Sequence, residues 1–358
     1  MSRTLQELYA LIEPVDLSLR VQAHAHLDSL AKPRGSLGRL EDIAVRLFCI
    51  GRGASPLRVD PAVIFTVAGD HGVASEGAAL SPQAATGRMV RTFLDGGAAI
   101  NALSQIASAE LFVVDAGCVG GPFAAHPQLI SLRLGEGTAN IAAGPAMSLE
   151  NCVRAVLAGA GIAAKAAGMG YRCIGIGEMG IANSTVAAAL SCAYLGLMPE
   201  DLLGPGAGVP SADLGHRIQV VKKALESNKS ALASGDSLMI LAALGGFEIA
   251  VMAGIILGAA RYKLPVAVDG FTATTALAAA KILCPVVVGY CFLSHASAEP
   301  GHAKIAQWLR IQPPLFDLGM HLGEGTGSAL AIVLLRAAAA IYSDMAALEE
   351  AGVSGKPS

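Results

Sequence analysis

Charge and aromatic rings are scarce in this 358-residue chain: Asp, Glu, Lys and Arg make up 15% of it, and Phe, Trp and Tyr 4%, with a single tryptophan. The formal net charge of -3 comes without any basic run, which argues against nucleic acid, whose binders carry a clustered cationic footprint. The seven cysteines form no Cys-x-x-Cys pair, and an odd, dispersed set fits reduced thiols packed in a core in the cytoplasm rather than a disulfide framework. Neither a Gly-x-Ser-x-Gly elbow nor a Walker phosphate loop is present.

An uninterrupted apolar run of about 20 residues, the length that crosses a bilayer, is also missing despite a mean hydropathy of +0.55. The stretch LMILAALGGFEIAVMAGIILGAA carries Glu248 and a Gly-Gly pair near its middle, and residues 179–199 hold Asn183, Ser184, Thr185 and Ser191. The N-terminal MSRTLQELYALIEPVD reads as an amphipathic helix without the charged head and apolar core of a signal segment. The expectation is a soluble, cytoplasmic protein with no membrane or nucleic-acid partner.

What the chain has is apolar bulk and glycine, 53% and 42 residues respectively, a composition suited to buried parallel strands under Ala/Gly-rich helices. Short apolar runs at 62–68 (AVIFTVA), 111–116 (LFVVDA), 172–177 (RCIGIG), 237–244 (SLMILAAL), 265–269 (PVAVD) and 285–291 (PVVVGYC) read as strands. Longer helical patterns such as QAATGRMVRTFLDGGAAINALSQI and GHAKIAQWL separate them. This alternation predicts an α/β fold, a Rossmann-like mainly parallel sheet with flanking helices over 60–335, plus a smaller helical part built from both termini, 1–59 with 336–358. The tail GVSGKPS has nothing apolar to bury and is expected to be disordered.

Polar or glycine-rich turns follow the runs: GDHGV, DAGCVGG, GIGEMGIANST, GGFE, DGFT and SHASAEPGH. In open α/β sheets ligands bind beyond the carboxyl ends of the strands, so these turns are expected to converge on one site. Glu178, between glycines, reads equally as an acid near the start of a helix opened by Asn183 and Ser184 and as a carboxylate that a ligand can approach. Ser294, His295, Ser297 and Glu299 precede Pro300, either as a capped helix start or as an anion site suited to phosphate, to which GPGAG (204–208), His216 and Arg217 could add a backbone loop and a cation. His24 and His26 do not share a helix face and are expected at the surface, not on a metal; Asp70 beside His71 reads as buried hydrogen bonding in preference to a proton relay.

Leu-Gly-Glu-Gly-Thr occurs twice, at 134–138 and 322–326. Glu136 runs on into Asn140, Gly144 and Pro145, a turn and loop. Glu324 sits in a glycine loop ahead of a strongly apolar helix that Thr326 or Ser328 could cap. A carboxylate sheltered in an apolar pocket has its pKa raised by desolvation and can serve as a general base near neutrality.

Taken together, KPRGSLGRLE (32–41), GDHGV, GGAAIN (96–101), GTANIAAGPAM (137–147), GIGEMGIANST, GGFEIAVMAG (245–254), VDGF (268–271), SHASAEPGH and DLGMHLGEGTGSALA (317–331) make the chain resemble the nicotinate-nucleotide:dimethylbenzimidazole phosphoribosyltransferase family, which activates the lower-ligand base of cobamides. The resemblance implies attack of a base on C1′ of nicotinate mononucleotide, departure of nicotinate and formation of an α-ribosyl phosphate, with no metal or redox cofactor. It implies Glu324 as the general base, with Glu178 and Gly180 in the site, and Arg217 where the family has a phosphate-binding lysine. Ser297, Ser294, Asp269 and Gly325 are expected substrate-binding residues on the same grounds. It also implies a dimer, of identical chains or of paralogues.

One segment departs from the pattern. Where the family resembles EGVSAYPQEVTRQM, this chain reads EGAALSPQAATGRM, with Ala79 and Arg88 at two positions that help hold the benzimidazole. Losing a hydrogen bond to a buried base costs about 1 to 3 kcal/mol, so the acceptor is expected to be either dimethylbenzimidazole-type or a phenol such as p-cresol, whose phenolate Arg88 would stabilise. A catalytically weak partner subunit is the alternative, against which stands the presence of both Glu178 and Glu324. GIGEMG also spells a dinucleotide fingerprint, but at the third apparent strand rather than the first.

Overall fold

Every residue of β1 (Ala62–Gly69) is buried, as expected of an apolar run without polar alternation when both faces of a sheet are covered. The structure, a computed structural model, describes residues 4–79, 81–204 and 211–349; residues 205–208 of the GPGAG stretch and the tail lie outside the described residues. With β2 (Ala109–Gly117), β3 (Leu129–Ser131), β4 (Cys173–Met179), β5 (Val266–Val268) and β6 (Cys291–Leu293), β1 forms a six-stranded sheet in the order β3-β2-β1-β4-β5-β6. Every pairing is parallel. The strand order reverses between β1 and β4, the switch point where doubly wound sheets bind ligands.

Side-chain parity along β1 shows the two covering layers. Ile64 and Thr66 lie against Gly325, at the start of helix Thr326–Asp344, whereas Gly69, of opposite parity, lies against Glu248 in helix Phe247–Arg261. The latter helix is buried almost along its whole length and packs on Leu149–Gly168. Among the described residues Thr326–Asp344 is the one helix long and apolar enough to cross a bilayer; here it packs against β1, β4 and β5. Helix Arg39–Ile50 packs on the same helix, and His26 Nε2 is 2.7 Å from the Tyr342 carbonyl oxygen. Thr326–Asp344 thus runs without a break across the boundary expected at 335/336, and the sheet and the terminal helices share one apolar core. His26 is half-buried against the Tyr342 ring rather than at the surface, while His24 is exposed. All seven cysteines are buried and free.

Two expected strands are corrected. SLMILAAL is helix Ser237–Leu244: an eight-residue apolar run suits a buried helix as well as a strand, and Asp236 decides it by accepting from the Leu238 and Met239 N–H groups. PVVVGYC begins as a 3-10 turn over Pro285–Tyr290, and β6 starts only at Cys291. The segment 83–106 breaks into Ala84–Leu94 and Ala99–Ile106 at the Gly96-Gly97 pair, and the short edge strand β3 is an addition to the expected set.

Candidate active site

The turns after β1, β4, β5 and β6 open onto a cavity of about 420 Å³. Two glycines let its walls close up: a Cβ on Gly177 would lie 2.0 Å from the Gly325 nitrogen, and one on Gly180 would lie 2.3 Å from the Gly69 carbonyl oxygen. β4 can therefore lie directly against the loop that carries Glu324.

Glu324 is 5% exposed and adopts a left-handed backbone conformation, φ 65°. Its N–H donates to the Glu178 carbonyl (3.0 Å), its own carbonyl accepts from Thr66 Oγ1 (2.6 Å), and its Oε2 has no hydrogen-bond partner. Burial raises its pKa. Neither expected hydroxyl caps the following helix: Thr326 Oγ1 donates to the Gly323 carbonyl, and Ser328 Oγ to those of Ile176 and Ala267. The carboxylate of Asp269 takes that place, accepting from the Gly325 N–H (2.7 Å) and the Gly327 N–H (2.8 Å).

Glu178 lines the cavity and accepts from Asn183 Nδ2. Its pKa is held well above the ordinary range, first by burial and then by the neighbouring carboxylates of Asp269, Glu248 and Glu324. Elsewhere in the cavity wall, the guanidinium of Arg217, 4% exposed, donates to Ser184 Oγ (3.0 Å) and to the Gly204 carbonyl (3.4 Å), and its Nε has no partner. Ser297 Oγ accepts from the Glu299 N–H, and Pro300 opens helix Pro300–Leu309 as expected. His295 also lines the cavity, with Nδ1 3.6 Å from Asp269 Oδ1; burial lowers its pKa.

Of the expected residues, Glu178, Gly180, Arg217, Ser297 and Ala79 line the cavity, and Glu324 and Gly325 adjoin it through Gly323. Three fall elsewhere. Ser294 is fully buried and does not line the cavity, and Asp269 faces main-chain N–H groups instead of the cavity. Arg88 is exposed, because helix Ala84–Leu94 turns Thr86, Gly87, Val90 and Phe93 inward. The expected contact of Arg88 with the base therefore has no counterpart in the cavity wall. Sequence reasoning gave no role to Asn183 and Ser184 beyond opening a helix, yet they hold Glu178 and Arg217. It also missed the buried partnership of His71 with Glu248; an acid in an otherwise apolar helix was the signal. Of the twin glutamates, Glu136 is exposed and pairs with Arg133, so the two copies share spelling and not environment.

The doubly wound sheet, with the Glu178 carboxyl and a buried guanidinium lining one cavity at its switch point and Glu324 adjoining it, defines an α/β enzyme built to act on a small anionic substrate. A family profile described as phosphoribosyltransferase matches residues 12–353. The nicotinate-nucleotide–dimethylbenzimidazole phosphoribosyltransferase of Nitratidesulfovibrio vulgaris (strain DP4) is 56% identical over 354 residues, 99% of each chain. That of Chlorobaculum tepidum is 47% identical over 356 residues, again 99% of each. The crystal structure of the Thermus thermophilus enzyme of this name matches with a TM-score of 0.88 at 40% identity, over 95% of this chain and 99% of that one. The chain belongs to the nicotinate-nucleotide–dimethylbenzimidazole phosphoribosyltransferase family.

Proposed function

We propose that the enzyme moves the ribosyl phosphate of nicotinate mononucleotide onto a benzimidazole-type lower-ligand base for cobamide synthesis, with Glu324 as general base. The observation that carries this is the Glu324 carboxylate: buried beside the cavity, raised in pKa and with one oxygen unpartnered. As a ring nitrogen of the base attacks C1′, the bond to nicotinate breaks and its electron pair neutralises the pyridinium, so nicotinate leaves without needing a proton. The proton that the attacking base must lose passes to Glu324. Glu178, its pKa raised by burial and by neighbouring carboxylates, stands at the same end of the site, and two carboxyl groups with different environments take different roles. Arg217, fixed by Ser184, supplies the phosphate with a charged donor, and Ser297 a hydroxyl.

A benzimidazole-type acceptor is favoured by the outward position of Arg88, which removes the cation invoked for a phenolate. Ala79 in the cavity wall keeps the phenol arm worth assaying. The enzyme is further proposed to act as a dimer of identical chains in the cytoplasm. Supporting this are two exposed apolar residues on the 317–323 segment beside the cavity, Leu318 and Leu322, and seven free cysteines. Mass spectrometry of the purified protein with nicotinate mononucleotide and, separately, dimethylbenzimidazole, adenine, phenol and p-cresol tests the reading. A ribosyl phosphate of dimethylbenzimidazole in excess of the others is expected; a phenolic product in excess reverses the choice of acceptor, and no product with any base overturns the activity.

A further inference from the structure

The 323–327 turn is gripped from three strands. Thr66, on β1, donates its hydroxyl to the Glu324 carbonyl, and the Glu178 carbonyl, on β4, accepts the Glu324 N–H. Asp269, directly after β5, accepts the N–H groups of Gly325 and Gly327 on its two oxygens. Asp269 is 1% exposed and does not line the cavity. The residue at the centre of the turn, Glu324, holds a left-handed φ that a non-glycine residue keeps only where its surroundings fix it.

We propose that Asp269 is a positioning residue for the transfer reaction: by clamping two amides just after Glu324 it holds that carboxylate where a base enters, without touching substrate. The inference rests on Glu324 being the general base. Chemistry selects the side chain. The Asp269 carboxyl turns one oxygen to each of two converging N–H groups, whereas an amide would turn its own NH₂ toward one of them. The free N–H groups at a helix start have no partner inside the helix, and neither Thr326 nor Ser328 supplies one, so the clamp depends on a residue from another strand.

The test compares Asp269→Asn, Thr66→Val and Glu324→Gln with the parent enzyme, by steady-state kinetics and crystal structures. For Asp269→Asn the expected result is a fall in kcat of at least about tenfold with KM for nicotinate mononucleotide within about twofold, and a displaced 323–327 turn. Thr66→Val is expected to lower kcat less, with the same constancy of KM. If Asp269→Asn does not fold, Thr66→Val is read in its place by the same measures. A kcat within about twofold of the parent, or a loss carried by KM, overturns the proposal, as does an unmoved turn. Full activity in Glu324→Gln would defeat the general-base reading and with it the catalytic part of the proposal; a displaced turn in Asp269→Asn would then still establish the clamp, which separates the two failures.

Discussion

His71 Nε2 lies 3.1 Å from Glu248 Oε1, and neither side chain has any exposed surface. The pair sits immediately behind the cavity wall, since a Cβ on Gly180 would come 3.1 Å from the same His71 nitrogen. Removing one member of such a pair leaves a buried charge uncompensated, which costs about 3 to 5 kcal/mol. Glu248→Ala is expected to lose that much in urea unfolding.

The pair also gives stability a pH dependence. Burial alone would push the His71 pKa down, but the carboxylates of Glu248 and Asp70 outweigh it and leave the imidazole above its ordinary value. The folded state therefore holds the proton more tightly than the unfolded one. Its contribution is complete below the ordinary histidine range and is lost as pH rises through the raised folded value. Unfolding free energies measured across that interval should fall with rising pH in the parent, and less steeply in His71→Asn.

The two Leu-Gly-Glu-Gly-Thr copies offer an internal control. Glu324→Gln is expected to lower kcat by about 10² to 10⁴, whereas Glu136→Gln, on an exposed residue paired only with Arg133, should keep full activity and change stability by under about 0.5 kcal/mol. Because burial raises the Glu324 pKa, activity in the parent should fall with acid at a pH above the ordinary glutamate range. An acid limb at the ordinary glutamate value would contradict the sheltered environment.

Arg217→Met should act mainly on KM for nicotinate mononucleotide. A hydrogen bond to a charged group is worth about 1.5 to 3 kcal/mol, or roughly ten- to a hundredfold. Arg217→Lys keeps the charge but not the planar fork that spans Ser184 and the Gly204 carbonyl, so it should recover only part of the loss. Isothermal titration with nicotinate mononucleotide measures both.

Acceptor choice should respond to Ala79 and not to Arg88. Arg88→Gln is expected to leave the ratio of dimethylbenzimidazole to p-cresol turnover unchanged, since the side chain is exposed and outside the cavity wall. Ala79→Ser places a hydroxyl in that wall and should raise the ratio. Competition assays with both acceptors present read it directly.

Much of this was written in local patterns. Continuous apolar runs at 62–68, 111–116 and 172–177 read as strands covered on both faces and are strands, and the glycine-rich turns after them converge as parallel topology demands. Residues 237–244 were illegible because a short apolar run satisfies helix and strand alike, and the deciding contact comes from Asp236, just outside it. The outward direction of Arg88 was not legible either, because matching positions along a chain carries no information about which face of a helix turns inward. The clamp by Asp269 joins residues 56 and 58 positions apart, and nothing within either segment announces it.

Helix Thr326–Asp344 begins one residue after the Gly325 that follows Glu324, and near its far end Tyr342 meets His26. At 1.5 Å per residue its 19 residues make a strut about 28 Å long. A stiff strut anchored at one end by the N-terminal helices sets the height of whatever stands on the other. The N-terminal helices and the turn that carries Glu324 are therefore the two ends of one element, joined over a full strut's length.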